Sequence, residues 1–391
     1  MPETQTHPPA EVQQGQAPDL AALPPVQIER GTCWVLFAHD IGMSIDLNEA
    51  ERRITDDKHR ETMRHKRRAP QYFEYRPAPL RVMQTGEPLQ VGDYQTAGNV
   101  EILMFDFGAV SVTYTIPLGG PMAGLLKLSG QLYGNEALAA DARRRVERLL
   151  AVIEPAVNRP RVLDIVEDYA IYQIEACPPG LGSGQVLADF GQLLAQIMRA
   201  ETSALSEDEV RDALAGRISF SRDDLLIVDW NAAVLFDTDA EDVRAVLEFA
   251  NVELLEMRFL DDRLDDALDE AYETLTRRTW NDSTRQGTRA RDLRRVAQLQ
   301  VDSAVLFEGV NNALKLLGDQ YLARVYRAAS QRLHLNEWDA SIIRKLQTLE
   351  SIYEKMTDRH AHRRMEVLEW IIIILIAVEI LLPFVPGMPG H

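Results

Sequence analysis

The side chains of this 391-residue chain that could do chemistry are few and scattered. Pro179–Gly184 (PGLGSG) is a glycine-rich loop running into a helical pattern, and the free N–H groups of a helix N-terminus can cradle phosphate. It lacks the Lys-Ser/Thr of a P-loop, and the Pro178-Pro179 step before it favours an ordinary turn. His39-Asp40 closes an apolar run and could form a polar pair at a strand end. His360 and His362 are two apart, so they point to different helix faces and suit one metal poorly. Asp261, Asp262, Asp265, Asp266, Asp269 and Glu270 could hold divalent cations loosely, but at helical spacing they read better as a solvated face. There is no H-E-x-x-H, no G-x-x-x-x-G-K-[ST], no G-x-S-x-G and no C-x-x-C. No catalytic, cofactor-binding or metal-binding residue is therefore assigned, no cofactor is expected, and the chain reads as a non-enzyme.

Composition narrows the classes further. The net charge is −18, which argues against direct binding of nucleic acid. The excess is local: Glu201–Glu270 holds 21 acids against 6 arginines. By contrast, Glu51–Arg68 has 8 Lys/Arg to 4 acids and Arg277–Arg295 has 7 Arg to 2 Asp. Two cysteines, Cys33 and Cys177, fit a reducing compartment and packing roles. Residues 1–30, rich in Pro, Gln and Ala, read as a disordered tail without the basic start and apolar centre of a signal peptide.

The elements that would position these groups fall into two regimes. Over residues 31–238 strand-like pairs alternate with helical pairs three times, predicting an α+β or mixed α/β head. Thr32–His39 is the first strand, and Val100–Phe107 with Val110–Ile116 form a hairpin about Gly108-Ala109. Val162–Glu167 with Tyr169–Cys177, and Leu225–Asp229 with Ala232–Phe236, are the other two strand pairs. Asp46, Asn135 and Ser206 are set to cap helices.

Over residues 239–366 the strands stop and long antiparallel helices form a stalk. Met257, Leu260, Leu264, Ala267, Ala271 and Leu275 make one near-heptad seam, and Ile342, Leu346, Leu349, Tyr353 and Met356 make another. Thirteen of the eighteen residues in Leu368–Val385 are Leu, Ile, Val or Phe, and as a helix they would be about 27 Å long, near the thickness of a bilayer core. The expected anchor is residues 367–385, with Leu368, Trp370, Ile371, Ile372, Ile373, Ile374, Leu375 and Ile376 in lipid and residues 386–391 as a short tail. Arg359, Arg363 and Arg364 precede it and no Lys or Arg follows it, which puts the bulk of the chain on the cytoplasmic side of an inner membrane as a single-pass, tail-anchored protein. Glu379 inside this span calls for an inter-subunit or polar partner, or for a position at the outer interface.

The terminal run Arg363, Glu366, Leu368, Glu369, Trp370, Ile371–Ile373, Leu375, Ile376 and Glu379, with the strand Phe105–Val110, resembles the "required for meiotic nuclear division" family, also called domain of unknown function 155. That resemblance implies a membrane-attached member without assigned enzymatic activity, and by analogy with mitochondrial members a role in holding ribosomes at a membrane or supporting translation. Glu3, Glu11 and Asp19 do not suit an Arg-rich, acid-poor transit peptide, so a bacterial member is expected. The expected function is a membrane-anchored scaffold that self-associates as a homo-oligomer and binds an unidentified protein. The alternative is an enzyme or small-ligand regulator with its site in the head.

Overall fold

The apolar run around Thr32–His39 becomes the spine of the molecule. The computed structural model describes residues 26–55, 57–60, 77–177, 182–221, 224–277 and 320–352, together with Arg294, Gln298 and Val301. There β1 (Gln27–Asp40) lies fifth in a nine-stranded sheet. On one side of it come β10 (Val166–Ala176), β13 (Ala232–Phe236), β12 (Leu225–Val228) and β11 (Arg217–Ile218). On the other come β8 (Ala109–Pro121), β7 (Asn99–Met104), β4 (Leu80–Thr85) and β3 (Asp57–Arg60). All neighbours are antiparallel except β10 and β13, so the sheet is mixed. Two small ribbons accompany it, β2 (Ser44–Ile45) with β9 (Val157–Asn158) and β5 (Gln90–Val91) with β6 (Tyr94–Gln95).

Central strands read as continuous apolar runs because both faces of the sheet are covered. One face sends Cys33, Val35, Phe37, Val112, Tyr114, Ile116, Tyr172 and Val234 into a core with α2 (Gly124–Leu132), α3 (Glu136–Ile153) and α4 (Ser183–Arg199). The other sends Leu36, Ile171, Leu226, Ala233 and Leu235 toward α6 (Glu241–Arg277) and α7 (Gln320–Arg332). Burial holds the Cys33 thiol far above its ordinary range, consistent with a packing role. On the first face the Tyr114 hydroxyl donates to Asp141 at 2.7 Å, and Arg145 donates to the same oxygen at 2.7 Å. Tyr114→Phe is expected to cost about 1–3 kcal/mol in denaturant unfolding, since Asp141 keeps Arg145 but loses a buried donor.

The expected caps form. Asp46 accepts from Asn48 and Glu49 at the start of α1 (Leu47–Arg53), Asn135 accepts from Leu138, and Ser206 accepts from Glu209 at the start of α5 (Glu207–Ala213). Glu49 does not reach back to complete the first capping box; it pairs with Arg52 and Arg53 at the other end of the helix instead. At Gly108 (φ +110°) an added Cβ would lie 1.7 Å from the Gly42 carbonyl oxygen, so only glycine lets the β7–β8 turn cross the loop after β1.

Two expectations fail within the head and beyond it. Val162–Glu167 and Tyr169–Cys177 do not form two paired strands. Asp168 stays in register opposite Phe37, and β10 runs on as one strand because β1 and β13 pair with it on both sides. Residues before it hydrogen-bond to the end of β1 instead, Arg161 to Ile41 at 2.9 Å and Leu163 to Asp40 at 3.1 Å.

The second correction concerns the membrane. Among the described residues no helix is long and apolar enough to cross one, and the long α6 alternates apolar with charged positions. The transmembrane element of the expected fold, and with it the single-pass inner-membrane location, is not supported. Leu368–Val385, including Trp370, Ile371–Ile376 and Glu379, lies outside the described residues. What stands is an α+β fold built on a large mixed sheet.

Candidate functional site: a charged layer beneath α6

Strands β4, β7 and β8 alternate apolar with polar residues, and the polar set would ordinarily face water. Leu80, Val82, Val100, Ile102, Val110 and Val112 enter the core on one side. Arg81, Glu101, Ser111 and Thr113 point the other way, yet each is buried, because α6 covers them. The first half of α6 answers with Arg244, Glu248, Asn251 and Glu256, also buried. A layer of charge is thus sealed between sheet and helix.

At one end Glu101 bridges two guanidiniums, pairing with Arg81 and with Arg244 at 2.8 Å. Burial pushes the Glu101 carboxyl up, but Arg244 and Arg81 outweigh it and hold it below its ordinary value. Arg244 also lies 4.4 Å over the Trp34 ring. The Trp34 indole donates to Gln173 at 3.1 Å, and Gln173 donates to the Asp237 carbonyl at 3.0 Å. Thr113 donates to Glu248 at 3.2 Å, and Asn251 donates to the Glu167 carbonyl at 3.2 Å.

At the other end lie two further buried acids, Asp40 and Glu256. Asp40 sits at the last position of β1 and accepts from Gly42 N–H at 2.9 Å. Burial raises it to about 7, against the pull of that N–H and of Arg161 and Arg263. Among the described residues neither oxygen of Glu256 has a hydrogen-bond partner, and burial, then the Asp40 charge, keeps its pKa well above the usual range. Burial thus favours the protonated form of both.

The residues that sequence reasoning singled out are not brought into one site. His39 and Asp40 face opposite sides of the sheet, as neighbours in a strand must. His39 is fully buried on the α3 side, where burial, then Arg143, lowers it to about 4. Of the glycine-rich loop only Gly182–Gly184 is described; Gly182 caps α4 without a side-chain bond. His360 and His362 lie outside the described residues. No cluster of three or more metal-ligating side chains occurs among the described residues.

In the helices, Ile342 and Leu349 are buried and Leu346 half-buried against Met257, Leu260, Leu264, Ala267 and Ala271 of α6. Tyr353 and Met356 lie outside the described residues. Arg81, Glu101, Thr113, Arg244 and Glu256 carried no visible signal as a group. Polar residues alternating on a strand look the same whether water or a helix covers them.

The family model described as "Uncharacterized protein MJ0711, N-terminal domain" matches residues 30–242, more than half of the chain. The chain belongs to this family. The match runs from β1 to the first residues of α6, so the family domain supplies the sheet and its charged face. The cover, Arg244, Glu248 and Glu256, lies just past the matched segment. A relative, "Uncharacterized protein MJ0711" of Methanocaldococcus jannaschii, is 25% identical over 197 residues, 49% of this chain and 58% of that protein. The chain therefore spans less than two thirds of the relative it matches. No solved structure matches.

This membership overturns the resemblance to the "required for meiotic nuclear division" family. Phe105–Val110 is the turn after β7 and the first two residues of β8, where Phe105 and Phe107 stack for packing, and the terminal motif lies outside the described residues. Runs of Trp and Ile with an occasional acid recur wherever a helix is apolar, so the motif carried little family information.

Proposed function

We propose that this chain is an interaction protein that presents a helical arm to a basic protein segment. The observation that carries the reading is that α6, 37 residues long, continues beyond the buried charged layer and there pairs with residues 335–352. Met257, Leu260, Leu264, Ala267 and Ala271 give that half its buried seam. Asp262, Asp266 and Asp269 lie exposed away from that seam. Lys345 ties the two helices through Asp261 and Asp265, at 2.7 Å each, and leaves Asp262, Asp266 and Asp269 to face outward. An acidic stripe on a braced helix suits a Lys/Arg-rich partner by charge complementarity. The charged groups beneath α6, by contrast, are sealed between helix and sheet.

The test is affinity capture with the full chain and with Asp262→Lys/Asp266→Lys/Asp269→Lys. Wild-type protein should retain partners that elute as ionic strength rises from about 0.1 to about 1 M, since screening shortens the reach of exposed charges. The reversed arm should lose them. Identical sets of captured proteins, or the same mass in sedimentation with no partner at all, would defeat the reading.

A further inference from the structure

His39 is sealed where a histidine is ordinarily wet or paired. It is fully buried near the end of β1, and among the described residues neither Nδ1 nor Nε2 has a hydrogen-bond partner. In the sheet it stands in register with Val110 of β8 and Val166 of β10, whose side chains offer nothing polar. On its side of the sheet lies the apolar core that takes Ala142, Val146, Leu149 and Ile153 from α3. The charges that act on it, Arg143 and Glu147, come from that helix. Arg143 is itself tied down: it donates to Glu147 at 3.0 Å and to the Leu163 carbonyl at 3.3 Å, and pairs with Asp164 at 3.0 Å. From the same segment before β10, Arg161 acts on Asp40, which points to the opposite face as its neighbour in the strand. Leu47 and Ala50 of α1 join the core, while Glu49 of that helix pairs with Arg52 and Arg53 at the surface.

We propose that His39 is an acid release for α3: the helix stays seated on the sheet while the imidazole is neutral, and a proton on the ring unseats it. An imidazolium needs acceptors for two N–H groups and a counter-charge. This place offers an apolar core with a guanidinium beside it, and Glu147, which pulls the other way, is already engaged by Arg143. Water can reach the charged ring only if α3 lifts and carries its apolar stripe off the sheet.

The sign follows from linkage. Burial, then Arg143, lowers His39 from its ordinary 6.5 to about 4, so the seated form binds fewer protons than the released one. The stabilisation is fully present above about 6.5, declines as pH falls and is gone below about 4. Asp141 of the same helix is opposed by burial, but Arg145 and Tyr114 hold it below its ordinary 3.8, so its own loss comes at lower pH. Asp40, raised to about 7, and Glu253, raised to about 8, have the opposite sign and face α6 or lie on it.

Hydrogen exchange of the full chain, corrected for the intrinsic rate, reads this directly. The opening constant for amides of residues 142–150 should rise about twentyfold from pH 7 to pH 5 and about a hundredfold by pH 4. Amides of residues 243–256 in α6 should show no such rise. His39→Leu, uncharged at every pH, should remove the acid rise in α3. A flat wild-type profile in α3 would overturn the proposal, and so would an equal rise in α6. A variant that keeps the wild-type slope would do the same. The wild-type measurement decides even if the variant fails to fold.

Discussion

Glu101→Ala is expected to destabilise the fold by about 3–5 kcal/mol in denaturant unfolding, because it leaves two buried guanidiniums without their shared carboxylate. Arg81 and Arg244 are each only 5% exposed, so neither can turn to water without moving α6 or β4. Removing the whole cluster should behave differently. Glu101→Leu with Arg81→Met and Arg244→Met exchanges charge for apolar volume and should recover most of the loss, since a buried ion triad contributes little net stability over a hydrophobic replacement. If the single substitution proved near neutral, the layer would have to be open to water, contrary to its burial.

Leu349→Asp is the second large effect. Leu349 is fully buried in the seam with Met257, Leu260 and Leu264, and truncation of such a leucine costs about 2–5 kcal/mol by itself. The aspartate adds a desolvated charge with acids, Asp261 and Asp265, already on the facing helix. The loss should be confined to the arm. Circular dichroism should show helix content lost at low denaturant while the sheet, followed by Trp34 fluorescence in a variant with its other tryptophans replaced, unfolds near its usual midpoint. A single unshifted transition would mean that the seam does not hold the arm.

The two effects concern different kinds of interface on one helix. Up to Glu256, α6 covers a sheet face that is charged where β4, β7 and β8 lie and apolar where β10, β12 and β13 lie. From Met257 on, its partner is another helix and its buried residues are apolar. The family match ends at residue 242, so the sheet lies within the matched part and most of α6 lies beyond it.

Much of the local structure was legible in the chain. Caps at Asp46, Asn135 and Ser206, the β7–β8 and β12–β13 hairpins, and the paired seams of 257–271 and 342–349 follow from short-range chemistry: side-chain oxygens near free N–H groups, glycine in a turn, and apolar residues every three or four positions. These signals act within a few residues, so one sequence suffices to read them. The strand pair expected over Val162–Cys177 fails for the complementary reason, since β1 and β13 pair with β10 from distant parts of the chain and hold it as one strand. The charged layer was invisible for the same reason. Glu101 and Arg244 are 143 residues apart, and nothing local to either says that the other neutralises it. Sequence by itself determined which residues could be strand, helix and cap, and which side of α6 would seek an apolar partner. Only the tertiary structure decided that the polar side of β4, β7 and β8 meets a helix instead of water. Burial of a charge depends on what lies across the gap, and this the chain settles only when its distant halves come together.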